Sequence, residues 1–177
     1  MNANAQPDYL EVTLGPKDII LTALDLQGGI TYASQTLRTF ARYTDAELLG
    51  KPFETTWHAD VPRYISQLMR ERLAEGRDFN AYIKNVTKDG LFYWTFANVS
   101  PTHDGQRQRT GYLAVQRAAD PITSQLVDAV YAFMAVPGGG GDCESAAKVL
   151  NDFMKPMNYD EFILRLEATG PDQAAPG

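Results

Sequence analysis

Cysteine is almost missing from this chain of 177 residues: Cys143 stands alone, beside two histidines and two tryptophans. One thiol makes no internal disulfide and no CxxC pair, and a four-ligand zinc set is out of reach. Positive charge is short as well. Lys and Arg total 16 against 22 Asp and Glu, a formal net charge of −6. Such a surface repels phosphate backbones and anionic leaflets, so neither nucleic acid nor lipid is an expected partner. No apolar run approaches the roughly 18 to 20 residues of a membrane span. The opening stretch, Met1 to Asp8, lacks the basic and apolar regions of a signal peptide. A cytoplasmic protein without membrane insertion is therefore expected. The sequence also holds no GxGxxG, GxxxxGK[ST], GxSxG or HExxH, and the run Gly138 to Gly141 precedes no lysine. No enzyme is expected.

What is present is globular. Apolar residues make up 44% and aromatic residues 11%, and at about 150 residues per domain the length gives one domain and a remainder. Ile19 to Leu24 and Ile30 to Ala33 flank Asp25 and Gly28-Gly29, a hairpin pattern. Ser34 offers a helix N-cap ahead of Leu37, Phe40 and Ala41. Thr44 and Glu47 form a capping box for a short helix closed by Gly50. Pro62 suits the first turn of a longer helix whose apolar face holds Ile65, Leu68, Met69 and Leu73, ended by Gly76.

Three strands follow: Phe79 to Val86, Leu91 to Val99 across the Lys88-Asp89-Gly90 turn, and Thr110 to Gln116. A polar loop at Pro101 to Arg109 separates the last two. Period-two alternation turns Asn85 inward and Lys84 outward into solvent, with Trp94 or Phe96 lining a cavity beside Asn85. Asn is disfavoured in mid-strand, and a buried amide needs a partner. Beyond Ala119, the residues Ile122, Leu126, Val130, Phe133 and Met134 mark an amphipathic helix, expected against the sheet or a second subunit. Two short helices follow, capped by Asp142 and Asn158. Strands, helices, then strands point to an α+β fold: a five-stranded antiparallel sheet with helices on one face, plus C-terminal helices.

Several segments carry a resemblance. They are Asp25-Leu26-Gln27 with Ile30-Thr31, Tyr43-Thr44 with Glu47-Leu48, His58 with Asp60 and Pro62, Lys84-Asn85 with Lys88-Asp89-Gly90, Tyr93-Trp94 with Ala97-Asn98, and Gly111-Tyr112. In this order they resemble the PAS domain, specifically the FAD-binding PAS domain of bacterial aerotaxis receptors. The resemblance implies a flavin between sheet and helices, and it matches the family's contact positions at His58, Asp60 and Asn85. It departs at three others: Ser34 for an asparagine, Trp57 for an arginine and Phe79 for a tryptophan. Trp94 is a further candidate wall of the site. The photoadduct cysteine of some PAS domains has no counterpart, since residues 57–75 hold none and Cys143 lies beyond the sheet.

Pattern and resemblance together divide the chain into a flexible cap (1–16), a PAS sensor domain (17–119), a signalling and dimerisation helix (120–136), a Gly-rich linker (137–141), a short helical extension (142–169) and a disordered tail (170–177). The resemblance implies a cytoplasmic sensor that binds FAD, reads redox state or oxygen, and relays it through a homodimer or a downstream signalling protein. Two other readings stand beside it. One is a haem-based gas sensor with His58 as axial ligand; the other is a cofactor-free interaction module whose pocket is filled by side chains.

Overall fold

In the computed structural model, residues 10–135 and 142–169 are described. Residues 1–9 of the expected cap, the linker 137–141 and the tail 170–177 lie outside them. Strand β1 (Ile19–Leu24) turns back into β2 (Ile30–Ala33). The turn is built by Asp25, whose Oδ1 accepts the backbone N–H of Gln27 at 2.9 Å and of Gly29 at 2.8 Å, while Gly28 takes φ +85°. Helix α1 (Gln35–Ala41) starts at Ser34, as its hydroxyl chemistry predicts, and α2 (Asp45–Leu48) carries the Thr44/Glu47 box. A 3-10 helix, Phe53–Thr56, leads through the 57–61 loop into α3 (Arg63–Ala74). Strands β3 (Phe79–Val86), β4 (Phe92–His103) and β5 (Arg109–Ala118) complete an antiparallel sheet of order β2-β1-β5-β4-β3. β5 closes on β1 at Gly111, where an added Cβ would sit 2.1 Å from the Leu24 carbonyl, so only glycine fits.

Strand β4 runs farther than expected. Four of the nine residues read as a polar loop, Pro101 to His103 and Arg109, are paired strand, with Pro101 opposite Tyr112 and Thr102 opposite Gly111. Proline is tolerated there because β3 ends opposite Val99, so β4 is by then an edge on that side.

The inner sheet face holds Thr22, Ile83, Asn85, Tyr93, Thr95 and Gln116, and α1 to α3 cover it. Phe40 of α1 meets Tyr93 edge-on at 5.0 Å, and Ile65, Met69 and Leu73 of α3 are buried. Of the C-terminal helices, α4 (Pro121–Ala135) and α6 (Tyr159–Thr169) cover the β3–β4 side of the outer face, and α5 (Cys143–Met154) packs on α3 and α4. The outer side chains of β1 and β5, such as Leu21, Leu113 and Val115, are only half-buried. Helix α4 turns a different side inward from the one its spacing marks. Thr123, Val127, Val130, Tyr131 and Met134 are buried, while Ile122 is 73% and Phe133 69% exposed.

Both margins of the sheet are dressed. Along β3 the outward carbonyls of Asn80, Tyr82 and Lys84 accept from Tyr159 Oη (2.9 Å), Tyr131 Oη (2.7 Å) and the His58 N–H (2.8 Å). Along β2 the backbone of Ile30 exchanges hydrogen bonds with residues 50–51, both at 2.8 Å.

Candidate functional site

The inner face contains a polar cluster inside an apolar shell. Thr95 Oγ1, at its centre, accepts from Asn85 Nδ2 and from Gln116 Nε2, each at 2.9 Å. Asn85 Nδ2 also donates to the Ile83 carbonyl at 3.1 Å. Asn85 and Thr95 are 0% exposed, as is Thr22. Two buried acceptors on this face lack a partner: Asn85 Oδ1 within the cluster and, three strands away on β1, Thr22 Oγ1. A buried polar atom left unsatisfied costs about 1–3 kcal/mol, so such atoms mark a place prepared for another group. Also on the inner side, Leu24, Met69, Leu73 and Tyr112 line a cleft of about 180 Å³ whose rim holds Gln27, Glu54 and Arg70.

Asn85 turns inward, as strand alternation predicts. Trp94 and Phe96 do not share its side. Asn85 pairs with Tyr93, so Trp94 and Phe96 fall on the outer face under α4 and α6. Lys84 is not in solvent either; it is only 7% exposed, because the C-terminal helices cover the side it faces. Its ammonium lies 2.6 Å from Asp60 and 3.2 Å from Asp128 of α4, and 4.8 Å above the Phe92 ring. Burial works against its charge, but the two carboxylates outweigh burial and raise its pKa.

His58 belongs to this outer cluster. Its Nδ1 accepts the Asp60 N–H at 3.2 Å, and its ring meets Phe92 edge-on at 6.2 Å. The sheet therefore separates His58 and Asp60 from Asn85. Of the other expected contacts, Ser34 Oγ accepts from Leu21 N (3.1 Å) and Leu37 N (3.4 Å), tying β1 to α1. Trp57 opposes Asn85 across an isolated bridge, with its indole edge-on to Phe53 at 5.7 Å and Nε1 buried without a partner. Phe79 is fully buried and stacks on Tyr159 of α6 at 5.8 Å. Cys143 opens α5 and lines a groove of about 640 Å³ beside the start of α3, away from the polar cluster. The residues missed from sequence are Thr22, Thr95 and Gln116. Their signal was a polar side chain at an inward position of an otherwise apolar strand.

Two outer residues join the sheet to the C-terminal helices from positions next to the inner cluster. Lys84, beside Asn85, holds Asp128. Arg117, beside Gln116, holds Glu167 of α6, which also accepts from the Tyr82 hydroxyl. Thus each inner amide has a neighbour that clasps a C-terminal helix.

Known proteins resemble this chain in sequence and in fold. The chain is 30% identical over 113 residues to the aerotaxis receptor of Escherichia coli (strain K12), covering 63% of this chain and 22% of the receptor. It thus spans about a fifth of that relative's length. The light-state LOV domain of the blue-light photoreceptor Aureochrome1 superposes with a TM-score of 0.54 at 20% identity, covering 63% of this chain and 88% of the domain. A light-oxygen-voltage domain studied with a flavin analogue superposes at 0.53 with 23% identity, covering 62% and 82%. Both show the same fold. The model of the PAS fold matches residues 19–118, hairpin through β5. With the sheet order, the helical cover and this match over more than half its length, the chain belongs to the PAS fold family.

Proposed function

We propose that the chain is a non-enzymatic, cytoplasmic flavin sensor that binds FAD without a covalent bond on the inner sheet face. The observation that carries this is the orphaned Asn85 Oδ1, a buried acceptor in a cluster that already presents amide donors. The pyrimidine edge of a flavin alternates donors and acceptors and is complementary to such a set. One sequence relative is an aerotaxis receptor, and one structural neighbour was studied with a flavin analogue, which supports the same class. Asn85, Thr95 and Gln116 would hold the polar edge, while Met69, Leu73 and Tyr112 would sandwich the ring. Ligand pockets span roughly 300–1,000 Å³, and the cleft of about 180 Å³ includes none of the cluster's residues, so binding requires α3 to move off the sheet and join the two into one space.

When bound, the flavin supplies redox chemistry that changes the protonation of its ring. Asn85 and Gln116 each carry a donor and an acceptor, so either amide answers such a change by rotating. Rotation disturbs the strand at that point, and the adjacent Lys84 and Arg117 pass the strain to Asp128 and Glu167. The signal leaves through α4 and α6. His58 and Asp60 serve in this scheme by bracketing Lys84. The haem reading gains nothing from the position of His58, which is across the sheet from the cleft. The cofactor-free reading draws on one observation, the small size of that cleft.

The test is titration of purified protein with FAD and FMN, followed by visible absorbance and by release on denaturation. Wild type is expected to retain flavin. Asn85→Ala and Gln116→Ala are expected to weaken binding about tenfold each, one hydrogen bond's worth. A wild-type protein that binds neither flavin overturns the proposal and leaves the cofactor-free module.

A further inference from the structure

Helix α3 covers the inner face, and its last turn is held by α6 from the other layer. Arg72 of α3 is 8% exposed. Its Nη1 reaches both carboxylate oxygens of Asp160, at 2.5 and 2.6 Å, and its guanidinium lies 5.0 Å from the centre of the Tyr159 ring. Arg72 Nε is buried without a partner, so Asp160 is the group that balances this charge. Tyr159 stacks on Phe79 and donates to the Asn80 carbonyl of β3. Seven residues beyond Asp160, two turns along the same helix face, Glu167 holds Arg117 of β5 and the Tyr82 hydroxyl. Helix α6 thus lies along the β3 margin, tied to the inner cover near its start and to the outer sheet face near its end. Two further ties on α3, Arg70 to Glu54 and Arg109 to the Ala74 carbonyl, are exposed and hold it less firmly.

We propose that α6 is a strap that keeps the inner-face site shut, with Arg72 and Asp160 as its latch. This deepens the flavin reading by naming what regulates its site, and it rests on that reading for the requirement that α3 move off the sheet. Met69 and Leu73, which line the cleft, sit within one turn of Arg72 on the same helix. When α3 swings outward, it carries Arg72 away from Asp160 or pulls α6 along, and either movement breaks a tie between the two layers. Occupancy of the inner face and docking of α6 therefore oppose each other. By linkage, whatever frees α6 raises affinity at the inner face, and a ligand there loosens α6 by the same factor. This coupling passes from the cover helix along the β3 margin and needs neither Lys84 nor Arg117.

Thiol labelling of the native, flavin-free chain with Ellman's reagent tests it, with circular dichroism as the fold control. In a Cys143→Ser background, Met69→Cys puts a thiol under α3, where the native side chain is 3% exposed, and Leu37→Cys puts a control under α1, at 2%. Asp160→Asn is expected to speed labelling at position 69 at least about tenfold and to leave position 37 unchanged. Arg72→Gln, which opens the latch without leaving a buried cation unbalanced, is expected to do the same. Asp160→Glu keeps the carboxylate and is expected to label like wild type. An unchanged rate at position 69 in both latch variants overturns the proposal, as does an equal rise at position 37, which reports loosening of the whole fold. Asp160→Asn is also expected to bind FAD more tightly by the factor seen in labelling, and equal FAD affinities in wild type and variant overturn the strap. A wild type that binds no flavin defeats the flavin reading alone, because the thiol readout needs none.

Discussion

At the scale of the residue, Lys84 and Asn85 are neighbours with opposite duties. Alternation along β3 is enough to read that one looks in and the other out. It does not reveal that the outward residue is buried, because the group that covers Lys84 includes Asp128, 44 positions away. Lys84→Met keeps the aliphatic stem over Phe92 but removes the ammonium between two carboxylates. Asp60 and Asp128 are about half exposed, which tempers their repulsion. The expected loss is about 1–2 kcal/mol in urea unfolding, below the range for a fully buried pair. Lys84→Arg is expected to restore most of it. The candidate site was legible to the same degree: Asn85 was found by its unusual place in a strand, whereas Thr95 and Gln116 were passed over because isolated polar residues in strands more often face water.

At the scale of the element, caps were the most legible signals. Ser34, the Thr44/Glu47 box, Asp142 and the Asn158/Glu161 pair act where the sequence puts them, because capping is decided within three or four residues. The face that α4 buries was not legible. Its apolar residues allow two stripes, and the one chosen includes Thr123, Ser124 and Tyr131. Their hydroxyls find acceptors at Asp120 Oδ1, the Asp120 carbonyl and the Tyr82 carbonyl. Those acceptors belong to the folded sheet and its exit, so no periodicity in the helix announces them. Tyr131→Phe is expected to cost about 1–2 kcal/mol, since it strands an edge carbonyl without creating a cavity. Faster hydrogen exchange in β3 and α4 together, with the rest of the sheet unchanged, is the local signature to look for.

At the scale of the molecule, four of nine tyrosines tie the layers together. Burial raises the phenols of Tyr82, Tyr93, Tyr131 and Tyr159 above their ordinary value near 10, and Glu167 adds to this at Tyr82. A raised folded-state pKa means that the native protein holds these protons more tightly than the unfolded chain. Their contribution is complete below pH 10 and falls as pH rises from there through the folded-state values. Alkaline titration is therefore expected to ionise the exposed phenols first, and these four only as circular dichroism reports unfolding. A smooth titration of all nine, with the fold intact, would contradict it. The dressed margins of the sheet have a different consequence. With the outward carbonyls of β3 taken by two hydroxyls and a loop amide, and Ile30 of β2 bonded to residues 50–51, a foreign peptide cannot lie along the whole of either strand without displacing these groups. Strand addition at these two margins thereby carries a cost in displaced hydrogen bonds, which favours partners that read side chains over partners that read backbone.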